Sequence, residues 1–168
     1  MNNVVLIGMA GVGKSTIGSL LAKTLGFTFI DLDHNIQQKK GNSLQDIIDS
    51  KGEEYFLELE KKSMLEIEMH EVVIAPGGSI IYHPELMQYL GQHATLVFLD
   101  DTFKNIEGRI KNLHSRGIVG LKQKTLRQVY EERKRSYVSY AQLTVHCARK
   151  SQQQIVGEIM DFLNEKGK

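Results

Sequence analysis

Apolar residues fall into two rhythms along this chain. Runs such as VVLI at 4–7, VVIA at 72–75 and TLVFL at 95–99 have no polar alternation, as expected of strands covered by helices on both faces. Shorter runs at 27–30 and 143–145 predict two more strands. Between these runs the spacing changes to that of helices. Ile17, Leu20, Leu21, Thr24 and Leu25 recur on one face and stop at Gly26, while Leu126, Val129, Tyr130 and Tyr137 form a second stripe over 125–140. Alternating strands and helices predict an α/β fold, with a central five-stranded parallel sheet flanked by helices.

The 168 residues contain no repeat or low-complexity tract and only two prolines, so a single domain over 1–168 is expected. Lys and Arg number 21 against 20 Asp and Glu, a net charge of +1. This balance gives no field for nucleic acid or an anionic membrane, and any anion must be bound locally. The single cysteine, Cys147, allows no internal disulfide and reads as a core thiol in a reducing compartment. The start, MNNVVLIG, lacks a basic leader region, and no run approaches the ~20 apolar residues of a membrane span. A cytoplasmic monomer acting on a small molecule is expected.

Between the first strand and the first helix stands GMAGVGKS, residues 8–15. It satisfies G-x-x-x-x-G-K-[ST] in the strand-loop-helix setting that a phosphate-binding loop requires. Gly11, Val12, Gly13, Lys14, Ser15 and Thr16 form the expected ATP-binding set. Backbone N–H groups and the helix start face the phosphates, Lys14 reaches the β and γ phosphates, and Ser15 offers a hydroxyl to Mg²⁺. Two carboxylates, Asp31 and Asp33, leave the second strand together. In a parallel sheet that strand end converges on the same crevice. Asp31 is expected at the metal edge, whereas Asp33 either faces a second substrate or caps a helix over 35–39.

Several classes of enzyme use this loop. A GTPase reading fails because the D-x-x-G at 49–52 follows a helical pattern and no N-K-x-D occurs. An ATPase reading would use Asp100 after TLVFL, but the chain is short for coupling machinery. Arg133 falls within the apolar stripe of its helix. An inward arginine needs an anion, either a protein carboxylate or an acidic substrate.

Over nearly its whole length the chain resembles the shikimate kinase family. The resemblance rests on the loop at 8–15, LGFTFIDLD at 25–33, GEEYFLELE at 52–60, Gly77-Gly78-Ser79, a lid over 113–124 with Arg116, and RKRSY at 133–137. It implies that Asp31 assists Mg²⁺ and that Asp33 orients or deprotonates the acceptor hydroxyl. It also implies that Arg109 packs on adenine, that Arg116 neutralises phosphate charge during transfer, and that Arg133 holds the substrate carboxylate. Lys14, Asp33 and Arg116 become the catalytic set. Asp33, Phe56, Leu57, Gly77, Gly78, Ser79 and Arg133 become the substrate-binding set, much of it within 33–60.

The acceptor half departs from the family pattern. Leu57 stands where the family has a carboxylate-gripping arginine, Ser79 replaces the third glycine of a triplet, and Pro76 precedes it in place of a small hydroxyl residue. The lid reads RGIV rather than R-P-L-L. The expected reaction is transfer of the ATP γ-phosphate to shikimate. The alternatives are another small hydroxylated acceptor, neutral or amino-bearing, and a nucleotide-binding module without kinase activity.

Overall fold

A computed structural model describes residues 3–110 and 117–166. Strands β1 (Asn3–Ile7), β2 (Thr28–Asp31), β3 (Val72–Ala75), β4 (Ala94–Asp100) and β5 (Leu143–His146) form one sheet in the order β2-β3-β1-β4-β5. Every pairing is parallel, with Val5 opposite Ile74 on one side and opposite Leu96 on the other. Side chains alternate between two apolar clusters, one holding Val5, Ile7, Ile74 and Phe98, the other Val4, Leu6, Val73 and Val97. The strand runs lack polar positions because neither face meets water. Burial of each such side chain contributes about 1.5–3 kcal/mol.

Eight helices occur among the described residues: α1 (Lys14–Leu25), α2 (Leu32–Lys40), α3 (Leu44–Lys51), α4 (Glu53–Leu65), α5 (Pro84–His93), α6 (Phe103–Arg109), α7 (Leu126–Tyr140) and α8 (Gln152–Lys166). A 3₁₀ turn, Gly78–Tyr82, follows β3. Thr125 and Gln128 close α7 with a reciprocal capping box. None of the helices is long and apolar enough to cross a membrane.

One of the two alternatives for Asp33 is excluded. The cap of α2 is Asp31, whose side chain accepts the His34 N–H, so the helix starts at Leu32 and Asp33 lies in its first turn. The helix α4 buries Phe56, Glu60 and Met64. Connections change side at the central strand β1, and ligands of open α/β sheets bind outside the carboxyl ends at such a point. The loop after β1, the Asp31–Asp33 corner after β2 and the Gly77 segment after β3 all emerge there.

Candidate active site

Gly13 precedes α1 with φ of 107°, a left-handed conformation natural to glycine. This turn lets the loop curl before the helix begins, and Lys14 secures the curl. Its Nζ donates to the Gly8 carbonyl at 2.7 Å and the Met9 carbonyl at 3.1 Å. Burial lowers the Lys14 pKa to about 8, against the pull of Asp33. Ser15 Oγ donates to Asp31 Oδ2 at 2.5 Å. The pair presents hard oxygen donors of the kind Mg²⁺ accepts. No cluster of three or more His, Cys, Asp or Glu side chains able to hold a metal occurs among the described residues.

A cavity of about 350 Å³ is lined by Gly11, Gly13, Lys14, Ser15, Thr16, Asp31, Asp33, Pro76 and Arg109. The sequence-predicted phosphate and aspartate residues therefore share one space. Burial raises the Asp33 pKa to about 6, while Lys14 acts in the opposite direction. A second cavity, of about 340 Å³, lies on the other side of the loop and brings Gly11, Val12, Gly13, Thr16 and Arg109 together with Cys147, Lys150 and Gln152. Lys150 and Gln152 escaped the sequence reading, which took Cys147 only as a core thiol, because a segment after the fifth strand carries no motif. Burial pushes the Cys147 thiol up to about 12, consistent with an inert core group.

Arg109 donates to Asp101 Oδ2 at 2.8 Å and to the Gly11 carbonyl at 3.4 Å. These bonds set its side chain between the two cavities. Asp100, the carboxylate of the ATPase reading, is engaged by Lys134 at 2.9 Å and His146 at 3.0 Å. Lys134 is half-buried, and Arg135 is exposed.

Arg133 is 2% exposed. Its Nη2 donates to the Val119 carbonyl at 2.8 Å and its Nε to the Tyr82 hydroxyl at 3.3 Å. Neither protein carboxylate nor any other anion pairs with it among the described residues. Tyr137, four residues on, donates to the Gly78 carbonyl at 2.7 Å. A Cβ at Gly78 would stand 2.7 Å from Arg133 Nη1. Glycine is thus what lets the chain pass beside the guanidinium. Phe56, 1% exposed, packs in the apolar core beside the partly buried Leu57. Arg116 lies outside the described residues.

The family model described as shikimate kinase matches residues 10–164. The chain belongs to the shikimate kinase family. The shikimate kinase of Persephonella marina is 35% identical over 95% of this chain and 98% of its own. Among solved structures, shikimate kinase from Acinetobacter baumannii in complex with shikimate superimposes with a TM-score of 0.88 at 26% identity, covering 99% of this chain and 94% of that one. The Aquifex aeolicus enzyme gives 0.84 at 32% identity, covering 98% of each chain.

Glu60 has no exposed surface and receives the Ser79 hydroxyl on Oε2 at 2.8 Å. Ser79, a departure from the family's glycine triplet, thus supplies a partner to the carboxyl that Leu57 cannot serve. Burial, reinforced by Asp33, raises the Glu60 pKa to about 8.

Proposed function

We propose that this chain is a Mg²⁺-dependent kinase that transfers the γ-phosphate of ATP to a hydroxyl of shikimate, the acceptor named for its relatives. The observation that carries this reading is the single cavity shared by Lys14, Ser15, Asp31 and Asp33. A phosphate loop and a buried carboxylate there serve the two ends of an in-line transfer. Lys14 and the loop N–H groups hold the phosphates. Mg²⁺, when bound, neutralises their charge, with Ser15 and Asp31 as its protein-side oxygens.

Asp33 receives the acceptor hydroxyl and takes its proton as the oxygen attacks phosphorus. The raised pKa, about 6, keeps this carboxyl closer to a useful base than an exposed aspartate would be. Arg133 receives the acceptor carboxylate, since its buried guanidinium has no anionic partner among the described residues. By family resemblance, Arg116 neutralises phosphate charge from the lid and Arg109 lies against adenine. The protein works as a monomer in the cytoplasm. Shikimate-dependent ADP release in the presence of Mg²⁺ tests the reading, and ATP binding without release for any hydroxylated acceptor would leave a nucleotide-binding module.

A further inference from the structure

Arg109 lines both cavities that flank the phosphate loop. Its side chain is 51% exposed, yet it is gripped by Asp101, whose side chain has no exposed surface. Asp101 carries three donors. Its Oδ1 accepts the Thr102 N–H and the Asn105 amide, each at 2.7 Å, and its Oδ2 accepts Arg109 Nη1 at 2.8 Å. The Tyr130 hydroxyl donates to the Asp101 backbone carbonyl at 2.9 Å. A long, exposed arginine samples many rotamers, so holding one of them needs an anchor that does not itself move. Helix α6 is in turn set against the loop, since a Cβ at Gly11 would stand 3.1 Å from Ile110 Cγ1 and Arg109 Nη1 reaches the Gly11 carbonyl at 3.4 Å.

An arginine beside a phosphate loop can grip phosphate with its charge or carry a planar base on its face. The pairing favours the second. Asp101 offsets the charge, and because guanidinium N–H groups lie in the plane of the group, bonds to Asp101 and Gly11 use its edge and leave its faces free. No aromatic ring covers those faces among the described residues. Lys150, the other cation lining the cavity with Cys147, is likewise paired, with Glu158 at 2.6 Å. Val12, Ile17 and Ile155 add apolar wall. A cavity with compensated cations and apolar walls suits a flat, neutral base and leaves the phosphates to Lys14 and the loop N–H groups. We propose that Asp101 is a positioning residue for ATP, fixing Arg109 so that the guanidinium supports the nucleobase and adds affinity independent of the phosphates. The assignment rests on the kinase reading above and deepens it at the nucleotide end, with the acceptor unchanged.

Asp101→Asn separates this role from a structural one. The oxygen of the new amide keeps the Thr102 N–H and the Asn105 amide, while the atom turned to Arg109 changes from acceptor to donor. The cap of α6, in which the Thr102 side chain accepts the Asn105 N–H, is untouched. Only the hold on Arg109 is lost.

The test is calorimetric titration of the wild type and Asp101→Asn with the Mg²⁺ complexes of a non-hydrolysable ATP analogue and of inorganic tripolyphosphate, which keeps the phosphates and lacks the base. The variant is expected to bind the ATP analogue about three- to tenfold more weakly, between the worth of an exposed cation–π contact and that of a charge-assisted hydrogen bond. Its affinity for tripolyphosphate should change by less than about twofold. Arg109→Ala should lose at least as much for the ATP analogue, and in that background Asp101→Asn should add nothing. In steady-state assays of ADP release the KM for ATP should rise by the same factor, with kcat and the KM for shikimate little changed. Unchanged binding of the ATP analogue in Asp101→Asn would overturn the proposal, as would an equal loss for tripolyphosphate, which would make Arg109 a phosphate ligand. If Asp101→Asn does not fold, Arg109→Lys, which keeps the charge and loses the plane, decides by the same two titrations. A base-dependent loss in a protein that releases no ADP with shikimate would uphold the role of Asp101 and sink the kinase reading, whereas ADP release with one KM for ATP in both proteins would do the reverse.

Discussion

Lys14 shows how one side chain can serve both the loop and the chemistry. Its ammonium holds the Gly8 and Met9 carbonyls in the free protein and is the charge that nucleotide phosphates would recruit. Lys14→Ala should abolish phosphotransfer, because charge stabilisation at the β and γ phosphates is lost with the anchor. Unchanged turnover would exclude this role. The two aspartates separate by environment, Asp31 bonded to Ser15 and to the start of α2, Asp33 buried with one oxygen unpartnered. Asp33→Asn is expected to lower kcat with little change in nucleotide affinity, and Asp31→Asn to shift the Mg²⁺ dependence. Indistinguishable kinetics would refute that division of labour. Leu57→Arg should raise kcat/KM for shikimate by about tenfold or more, measured by ADP release, since it restores a cation beside Glu60.

Elements decide which of these residues can meet. The inward place of Arg133 was readable from its helical stripe, whose apolar members fix the face of α7. What that face meets was not readable. The partners Val119 and Tyr82 come from distant segments, and no local spacing encodes them. The same holds for Ser79 and Glu60, which lie 19 residues apart in the sequence and which packing joins into one pair. Residues 117–124 form turns packed against the body, with Ile118 and Val119 buried and Gly120 N–H donating to Glu53 at 2.8 Å. If the 113–124 segment is a lid carrying Arg116, hydrogen exchange across it should slow when ATP analogue and acceptor are added together. Equal rates with and without ligands would make it an ordinary loop.

At the scale of the whole molecule, the buried carboxyl of Glu60 links pH to folding. Its pKa rises from 4.5 to about 8 on folding, so the unfolded chain gives up this proton first. The associated stability is full below the unfolded value and is lost as pH climbs through the folded one. Glu60→Gln removes that titration while keeping an acceptor for Ser79. The variant should therefore gain on the wild type between pH 5 and 8, by about 1 kcal/mol or more, read as a Tm difference of at least about 2–4 °C at pH 8. A wild-type Tm that tracks the variant at every pH would show that Glu60 does not titrate over this range.

By itself the sequence determined the α/β class, the strand positions to within a residue or two, the phosphate loop and its neighbouring aspartates. Those features are local: strand runs record burial on both faces, and loop glycines record the turn before α1. The tertiary structure alone decided the contacts that reach across elements. It placed the α2 cap at Asp31, drew Lys134 onto Asp100, and set Cys147, Lys150 and Gln152 in a cavity beside the phosphate loop. It also packed the carboxyls of Glu60 and Asp33 closely against Gly77. These residues lie on different elements, and only the crossing of chain segments at the sheet's carboxyl edge sets the distances between them.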